Sequence, residues 1–255
     1  MEPILKVSGL TKTFSRQGQA DFTAVKNISF DLFPGECLAI IGESGSGKTT
    51  AVNMIARLVD ATSGSIFLDG EDITNRKGKP LREVYRTMQM VFQIPADSFD
   101  PRRTLGDGIG ESLRNAGLSP KETREKVEAL LKDCGLPPEY AGRYPHQVSG
   151  GQCQRAAIAR ALAIAPRLLI CDEITSALDV TVQKEILELL NALRTRQGRG
   201  LSILFISHDI SLVQQFCDRV LVMYHGEIVE EGTPDEVIRN PQNDYTKRLI
   251  DSVLS

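Results

Sequence analysis

The sequence lacks a strong net charge, paired cysteines and long apolar runs. Its 30 Lys and Arg residues nearly balance 33 Asp and Glu residues, so the formal net charge of the 255-residue chain is −3. Such a balance supplies no general positive field for the phosphate backbone of a nucleic acid. We therefore expect no nucleic-acid partner, while the 41% of hydrophobic residues is enough for a sizeable core.

The cysteines are scattered, and they comprise Cys37, Cys134, Cys153, Cys171 and Cys217. None of the cysteines belongs to a CxxC pair, and their number is odd. Neither a disulfide framework nor a zinc or iron–sulfur site is therefore indicated, and we expect the protein to lie in a reducing cytosol. No stretch approaches the ~20 consecutive apolar residues of a membrane helix. Residues 1–7 also lack the pattern of a signal peptide. Any membrane role is therefore expected to depend on a partner.

Short apolar runs alternate with segments of helical period along much of the chain. The runs typical of strands are residues 4–7, 37–41, 88–92, 168–171, 202–206 and 219–224. Between Pro95 and Pro166 they disappear, and the patterns indicate helices at residues 104–116, 121–134 and 151–163. This order predicts one α/β domain with a largely parallel sheet, in which 95–165 form a helical subdomain inserted between core segments 1–94 and 166–255. Residues 16–21 are expected to form a turn.

The strongest local motif is a P-loop between the apolar run 37–41 and a helical pattern that starts near Thr50. Its residues are Gly42, Glu43, Ser44, Gly45, Ser46, Gly47, Lys48, Thr49 and Thr50. The glycines allow backbone N–H groups to point at phosphate oxygens, Lys48 can reach the β- and γ-phosphates, and Thr49 offers a hydroxyl to Mg²⁺. A chance glycine-rich turn is the alternative, but the placement between strand and helix favours nucleotide binding.

A second motif consists of two carboxylates at the end of the apolar run 168–171. A buried strand explains the apolar residues but gives no reason for Asp172 and Glu173 at its tip. In a P-loop protein Asp172 would hold Mg²⁺ through its water shell, and Glu173 would orient and deprotonate the attacking water. The alternative is a pair of residues that cap a following helix.

With these motifs in place, the segment Val148-Ser149-Gly150-Gly151-Gln152 resembles the signature of ATP-binding cassette (ABC) ATPases. Gln93 resembles the family's Q-loop glutamine, His208 its switch histidine, and the segment Ser176-Ala177-Leu178-Asp179 its D-loop. Each motif is short, but their order along nearly the whole chain is specific. The resemblance implies a P-loop NTPase fold with an N-terminal antiparallel β portion, and it implies ATP and Mg²⁺ as cofactors.

The resemblance also implies how the motifs work together. Two chains pack head to tail, so that Ser149, Gly150, Gly151 and Gln152 of one chain cover the nucleotide in the P-loop of the other. Asp179 of the D-loop is placed among the nucleotide-binding residues. The second ATPase is either another copy of this chain or a paralogue.

Three further residues receive roles from the resemblance. His208 would hold the γ-phosphate and the attacking water, although a lone histidine is more often structural. Gln93 would bond Mg²⁺ or the lytic water, with an ordinary polar residue at a strand end as the alternative. Phe14 matches the aromatic residue that stacks on adenine, with Phe22 as a rival and a core aromatic as the other alternative.

The finer resemblance is to the oligopeptide, dipeptide and nickel importer ATPases. It rests on residues 42–47, on Tyr144-Pro145-His146-Gln147, and on Asn240-Pro241 with Tyr245-Thr246. It implies two transmembrane permease subunits, a solute-binding protein, and a peripheral location on the cytoplasmic face of the inner membrane. Some members carry a cysteine-rich tail for an iron–sulfur cluster, which is not expected here because no cysteine follows Cys217.

Two departures from the family pattern concern the catalytic region. Ile174 stands where the family usually has proline, which should loosen the turn after Glu173 without removing a chemical group. Cys153, directly after the signature, occupies a position that is more often polar. We expect activity to survive both.

Two other functions share the same motifs. An ABC ATPase that acts on DNA usually has a long coiled coil or a zinc module between the Q-loop and the signature, whereas the interval from Gln93 to Ser149 contains neither heptads nor paired cysteines. A regulatory cassette that only binds ATP would not need Glu173 and His208. Both alternatives are therefore disfavoured.

Overall fold

The computed structural model describes residues 2–15, 20–176, 178–195 and 200–254. The chain divides into two compact units, the first formed by Met1–Val84 with Leu201–Ser255 and the second by Tyr85–Gly200. Most of the turn predicted at 16–21 lies outside the described residues. The narrower boundaries of the helical subdomain, 95 and 165, stay a prediction.

The described elements follow the α/β order that the sequence predicts. In chain order they are β1 (Leu5–Phe14), β2 (Phe22–Leu32), β3 (Cys37–Ile41), α1 (Lys48–Ile55), β4 (Ser63–Leu68), β5 (Glu71–Asp72), α2 (Gly78–Thr87), β6 (Met88–Val91), α3 (Leu105–Asn115), α4 (Pro120–Asp133), α5 (Gly150–Leu162), β7 (Leu168–Asp172), α6 (Val180–Thr195), β8 (Ser202–Ile206), α7 (Ile210–Phe216), β9 (Arg219–Tyr224), β10 (Glu227–Gly232), α8 (Pro234–Arg239) and α9 (Asp244–Leu254).

The first unit contains an antiparallel sheet with the strand order β2-β1-β4-β5. β1 and β2 form its longest pair, which runs from Leu5 opposite Leu32 to Phe14 opposite Phe22. This sheet confirms the antiparallel β portion that the family resemblance implies.

The first unit also contains the parallel strands that carry the P-loop. β3 pairs in parallel with β8 on one side and with β9 on the other, and β10 adds to β9 in the antiparallel sense. All residues of β3 and β8 are buried. Strands covered on both faces need apolar side chains throughout, which is why both read as continuous apolar runs.

The second unit contains the parallel pair β6 and β7, with Met88 opposite Leu168, and the helices α3 to α6. α3, α4 and α5 begin at capping residues: the side chains of Thr104, Ser119 and Ser149 each accept a hydrogen bond from a backbone N–H in the first turn. These helices confirm the predicted patterns, with ends that differ by only one residue. Among the described residues, no helix is both long and apolar enough to cross a bilayer.

Candidate functional site

The P-loop connects the end of β3 to the start of α1 and needs glycine at particular positions. Gly42 and Gly47 have φ values of 148° and 105°. A Cβ at Gly42 would lie 2.2 Å from the Met223 carbonyl oxygen, and one at Gly47 would lie 2.4 Å from the Ala24 carbonyl oxygen. Both the backbone angles and the close contacts exclude a side chain, so the loop is held tightly against its neighbours.

Two polar side chains of the P-loop, those of Ser46 and Lys48, are buried, whereas Glu43, Ser44 and Thr49 are exposed. Lys48 is buried, and its Nζ donates hydrogen bonds to the carbonyl oxygens of Gly42 at 2.7 Å and Glu43 at 2.9 Å. The buried Ser46 Oγ makes no hydrogen bond with the described residues. Gly47, the N-cap of α1, has no side chain that could cap the helix, so the first N–H groups of α1 remain available. A nucleotide phosphate would supply acceptors for all of these donors, and the loop therefore fits one.

His208 lies in the same unit as the P-loop. β3 and β8 run in parallel with Ile40 opposite Ile206, and the Ser207 N–H donates to the Ile40 carbonyl oxygen at 3.3 Å. Gly42 and His208 thus follow the carboxyl ends of adjacent strands, and His208 is exposed there. Ligands of open α/β sheets bind at this edge.

The aromatic candidates Phe14 and Phe22 are cross-strand partners at the end of the β1–β2 pair. Both are exposed, by 39% and 54%, and the Lys12 ammonium lies 5.0 Å from the centre of the Phe14 ring. Directly opposed residues of antiparallel strands share one face of the sheet. Phe22 is two residues from Ala24, whose carbonyl borders Gly47 of the P-loop, so the pair lies a short distance along β2 from the phosphate-binding loop.

In the second unit, Gln93 and Glu173 meet at the carboxyl ends of β6 and β7. The Gln93 Nε2 donates to Glu173 Oε2 at 3.3 Å and to Ser176 Oγ at 3.2 Å, and Ser176 Oγ donates to the Glu173 carbonyl oxygen at 2.9 Å. Asp172, the last residue of β7, is buried. The contact of Gln93 with Glu173 and Ser176 is one that the sequence patterns do not predict.

Glu173 has a φ of 49°, in the left-handed region that non-glycine residues seldom occupy. Backbone hydrogen bonds from Ser176 N to the Glu173 carbonyl oxygen, at 3.1 Å, and from Leu178 N to the Thr175 carbonyl oxygen, also at 3.1 Å, close the turn that follows. Ile174 is buried within this turn. The turn therefore keeps its shape without the proline that the family usually has there.

The signature segment forms the beginning of α5. Ser149 Oγ accepts from the Gln152 N–H at 3.3 Å, and Gln152 Oε1 accepts from the Ser149 N–H at 2.9 Å, so these residues cap each other. Gly150 and Gly151 then supply the uncapped N–H groups of the first turn. A Cβ at Gly151 would lie 2.5 Å from Val182 Cγ1, which explains this glycine by close packing.

Two further residues flank these motifs in the second unit. Asp179 is exposed, and its Oδ1 accepts from the Val182 N–H at 3.0 Å, which caps α6. Ala177, the second residue of the D-loop, lies outside the described residues. Cys153 is buried, and burial raises the pKa of its thiol to about 11, so the cysteine beside the signature is a packing residue at neutral pH.

The structure thus places the predicted residues in two groups. Phe14, the P-loop and His208 belong to the first unit; Gln93, Asp172, Glu173, Asp179 and the signature belong to the second. Sequence reasoning missed Tyr245 as a neighbour of the P-loop: its hydroxyl oxygen accepts a hydrogen bond from the Glu43 N–H at 2.9 Å. Tyr245 stands in a quoted motif, but nothing in that motif identifies its partner.

A family model described as ABC transporter matches residues 25–176. The chain is 45% identical over 259 aligned positions to the glutathione import ATP-binding protein GsiA of Escherichia coli strain K12, and 46% identical to that of Salmonella paratyphi A. Each alignment covers 99% of this chain and 41% of the relative, so the chain spans about two fifths of the length of these proteins.

Two solved structures are similar over most of their length, each with 31% sequence identity. One is CbiO1 from Clostridium perfringens, part of the ABC transporter complex CbiONQ, with a TM-score of 0.83 over 94% of this chain and 92% of that chain. The other is the ATP-binding cassette MJ0796, a dimer in a post-hydrolysis state bound to ADP and Pi, with a TM-score of 0.82 over 90% of this chain and 98% of that chain.

Proposed function

The chain belongs to the ABC transporter family, and from this premise we propose that it is the subunit that binds and hydrolyses ATP to power import through separate membrane subunits. The observation that carries the proposal is the contact between Gln93 and Glu173 at the end of β7. A cassette that only bound ATP would not need a carboxylate held in this strained position. The family model and the 31% identical cassettes support the same function.

The P-loop binds the phosphates of ATP. Lys48 reaches the β- and γ-phosphates from its position against the loop carbonyls, while the N–H groups of the loop and of the first turn of α1 point at the remaining oxygens. Ser44, Gly45 and Thr50 belong to the same phosphate-binding segment. Phe14 stacks on the adenine, which needs a π-face and no hydrogen bond from a base edge.

Thr49, Gln93 and Asp172 carry the hydroxyl, amide and carboxylate oxygens that a hard cation such as magnesium prefers. Thr49, Gln93 and Asp172 would hold it, the last through water. When bound, the ion neutralises negative charge that develops on the β- and γ-phosphate oxygens.

Glu173 and His208 act on the hydrolytic water. Glu173 accepts a hydrogen bond from that water and takes its proton as the water attacks the γ-phosphate. The hydrogen bond from Gln93 orients the carboxylate for this step. His208, exposed at the end of β8, holds the γ-phosphate and the water in place.

A second ATPase completes each nucleotide site. The N–H groups of Gly150 and Gly151 are free of the cap that Ser149 and Gln152 form, so they can bind the γ-phosphate held by the opposite chain. Asp179 lies at the exposed start of α6, where it can contribute to the same interface. MJ0796, which is similar in fold, is known as a dimer bound to ADP and Pi. The partner here is a second copy of this chain or a paralogue.

The transported solute is a peptide, nickel or a metal chelate, and the relatives favour the first. Those with 45–46% identity are named as glutathione import proteins, and glutathione is a small peptide. The complex would contain two permease subunits and a solute-binding protein, with this chain on the cytoplasmic face of the inner membrane.

Uptake by cells that lack the gene tests this function. Uptake of glutathione or of a di- or oligopeptide should fall and should return when the wild-type gene, but not the Lys48→Ala variant, is supplied. Nickel and chelated metals are the parallel substrates. Unchanged uptake of every solute, together with loss of export of some compound, would contradict import. Stimulation of ATP hydrolysis by DNA would instead support the DNA-acting class.

A further inference from the structure

The C-terminal helix α9 reaches the start of the P-loop through Tyr245. The side chain is almost fully buried, with 4% of its surface exposed, and its hydroxyl oxygen lies 2.9 Å from the Glu43 nitrogen, which donates to it. These two residues are 202 positions apart in the sequence. No role assigned above to the nucleotide site includes α9.

The position of the Tyr245 ring is fixed by its surroundings. It stacks on Tyr224 with ring centres 3.9 Å apart and an angle of 24° between the planes. The Tyr245 N–H donates to Asn243 Oδ1 at 2.8 Å, which fixes the start of the helix. Burial raises the pKa of the Tyr245 hydroxyl, which therefore stays protonated at neutral pH.

The segment before Tyr245 is attached to β10. The two carboxylate oxygens of Glu230 accept hydrogen bonds from the N–H groups of Gln242, at 2.8 Å, and Asn243, at 3.0 Å. Burial opposes ionisation of Glu230, but these hydrogen bonds, together with the Thr246 side chain and the charge of Lys247, outweigh it and lower its pKa. The carboxylate thus remains charged and keeps the chain in place where it enters α9.

The Glu43 N–H that Tyr245 holds belongs to the peptide unit between Gly42 and Glu43. The carbonyl of that same unit, Gly42 O, accepts a hydrogen bond from Lys48 Nζ at 2.7 Å. A peptide unit is planar, so the orientation of its N–H fixes the orientation of its carbonyl. Tyr245 on one side and Lys48 on the other are therefore linked through a single rigid group.

We propose that Tyr245 is a positioning residue for nucleotide binding, whose hydroxyl fixes the Gly42–Glu43 peptide and through it the ammonium group of Lys48. The inference rests on the proposed function, because it requires that Lys48 binds the phosphates of ATP. Without the hydroxyl the Gly42–Glu43 peptide loses the hydrogen bond that orients its N–H, and Lys48 loses its fixed position on the carbonyl of the same peptide. The loss of affinity therefore concerns the phosphate groups of the nucleotide and does not depend on its adenine base.

Tyr245→Phe tests the proposal, and Tyr224→Phe is its matched control. Both variants keep the ring stack and lose one hydroxyl, but the Tyr224 hydroxyl makes no hydrogen bond with the described residues. One hydrogen bond corresponds to about a threefold to tenfold change in an equilibrium constant. We expect Tyr245→Phe to weaken the binding of ATP and of inorganic tripolyphosphate by this same factor. It should also raise the KM for ATP and leave kcat within about twofold. Tyr224→Phe should bind ATP and tripolyphosphate as the wild type does.

The alternative is that Tyr245 only attaches α9 to the rest of the unit. In that case the melting temperature without nucleotide would fall while the affinities for ATP and tripolyphosphate stayed at the wild-type values, which would overturn the proposal. A loss of affinity for ATP but not for tripolyphosphate would overturn it as well. Absence of ATP binding by the wild-type protein would overturn the proposed function and this inference with it, so the two failures are distinguishable.

Discussion

Replacing Gly42 by alanine should damage both the stability and the nucleotide affinity of the protein. The φ of 148° at Gly42 lies in a region that is essentially restricted to glycine, and such a conformation costs ~1–3 kcal/mol for other residues. The new Cβ would also lie 2.2 Å from the Met223 carbonyl oxygen, so the backbone must move, at a further cost of ~1–3 kcal/mol. The free energy of unfolding should therefore fall by ~2–6 kcal/mol.

Gly35→Ala is the matched control for this change. Gly35 lies in the same unit with a φ of 78°, but a Cβ there would meet no atom within 4 Å. Its cost should be the ~1–2 kcal/mol of a left-handed backbone alone. The difference between the two variants is then ~1–4 kcal/mol. For a chain of this size ~1 kcal/mol corresponds to ~2–4 °C, so Gly42→Ala should melt ~2–16 °C below Gly35→Ala.

The assay is thermal unfolding of both variants with and without ATP. The movement at Gly42 displaces the carbonyl that Lys48 contacts, so ATP should raise the melting temperature of Gly35→Ala as much as that of the wild type, and that of Gly42→Ala less. Equal melting temperatures for the two variants, or a full ATP-dependent increase in Gly42→Ala, would refute this reasoning.

Two further predictions concern the signature segment and the aromatic residue that stacks on adenine. Ser149→Arg should block hydrolysis, measured by phosphate release, and leave the ATP affinity of the monomer nearly unchanged, measured by equilibrium binding. If the monomer lost its ATP affinity as strongly as its hydrolysis, the signature would not act on the nucleotide of the opposite chain. Phe14→Ala should weaken ATP binding by about 5-fold to 150-fold, from the ~1–3 kcal/mol of one stacking contact, without changing the affinity for tripolyphosphate. A larger loss in Phe22→Ala would assign the base to the other aromatic residue.

The sequence predicts those parts of the fold whose patterns are strong. β3, β8 and β9 are recognisable because they are apolar and bounded, and α3, α4 and α5 because Thr104, Ser119 and Ser149 mark their starts. β5 consists of Glu71 and Asp72 alone, and α2 has one buried residue, Val84. β5 is formed by its pairing with β4, which no local pattern indicates. α2 carries Leu81, Val84 and Tyr85 at helical spacing, a signal that sequence reasoning missed. β1 extends to Phe14 because its pairing with β2 continues beyond the apolar start.

In the candidate site, too, the sequence locates the individual motifs but not the contacts between them. Each motif is located by residue types and spacing, because glycines, a lysine and two carboxylates in that order suit the binding of phosphate and a metal ion and little else. The contacts between motifs are different in kind. The hydrogen bond of Gln93 to Glu173 joins residues 80 positions apart, and that of Glu43 to Tyr245 joins residues 202 positions apart. Only the folded chain brings these partners together, because no periodicity connects them.

Glu173→Gln tests most directly the central claim that the protein hydrolyses ATP with Glu173 as the base. The amide keeps the shape of the side chain but cannot take the proton of the attacking water. Glu188→Gln, at an exposed position of α6, makes the same chemical change and is the control. ATP hydrolysis by purified Glu173→Gln should fall at least ~100-fold while ATP binding is retained, and a stable dimer should form with Mg·ATP. Turnover near the wild-type rate in Glu173→Gln would contradict the account, because the hydrolytic base would then be another group.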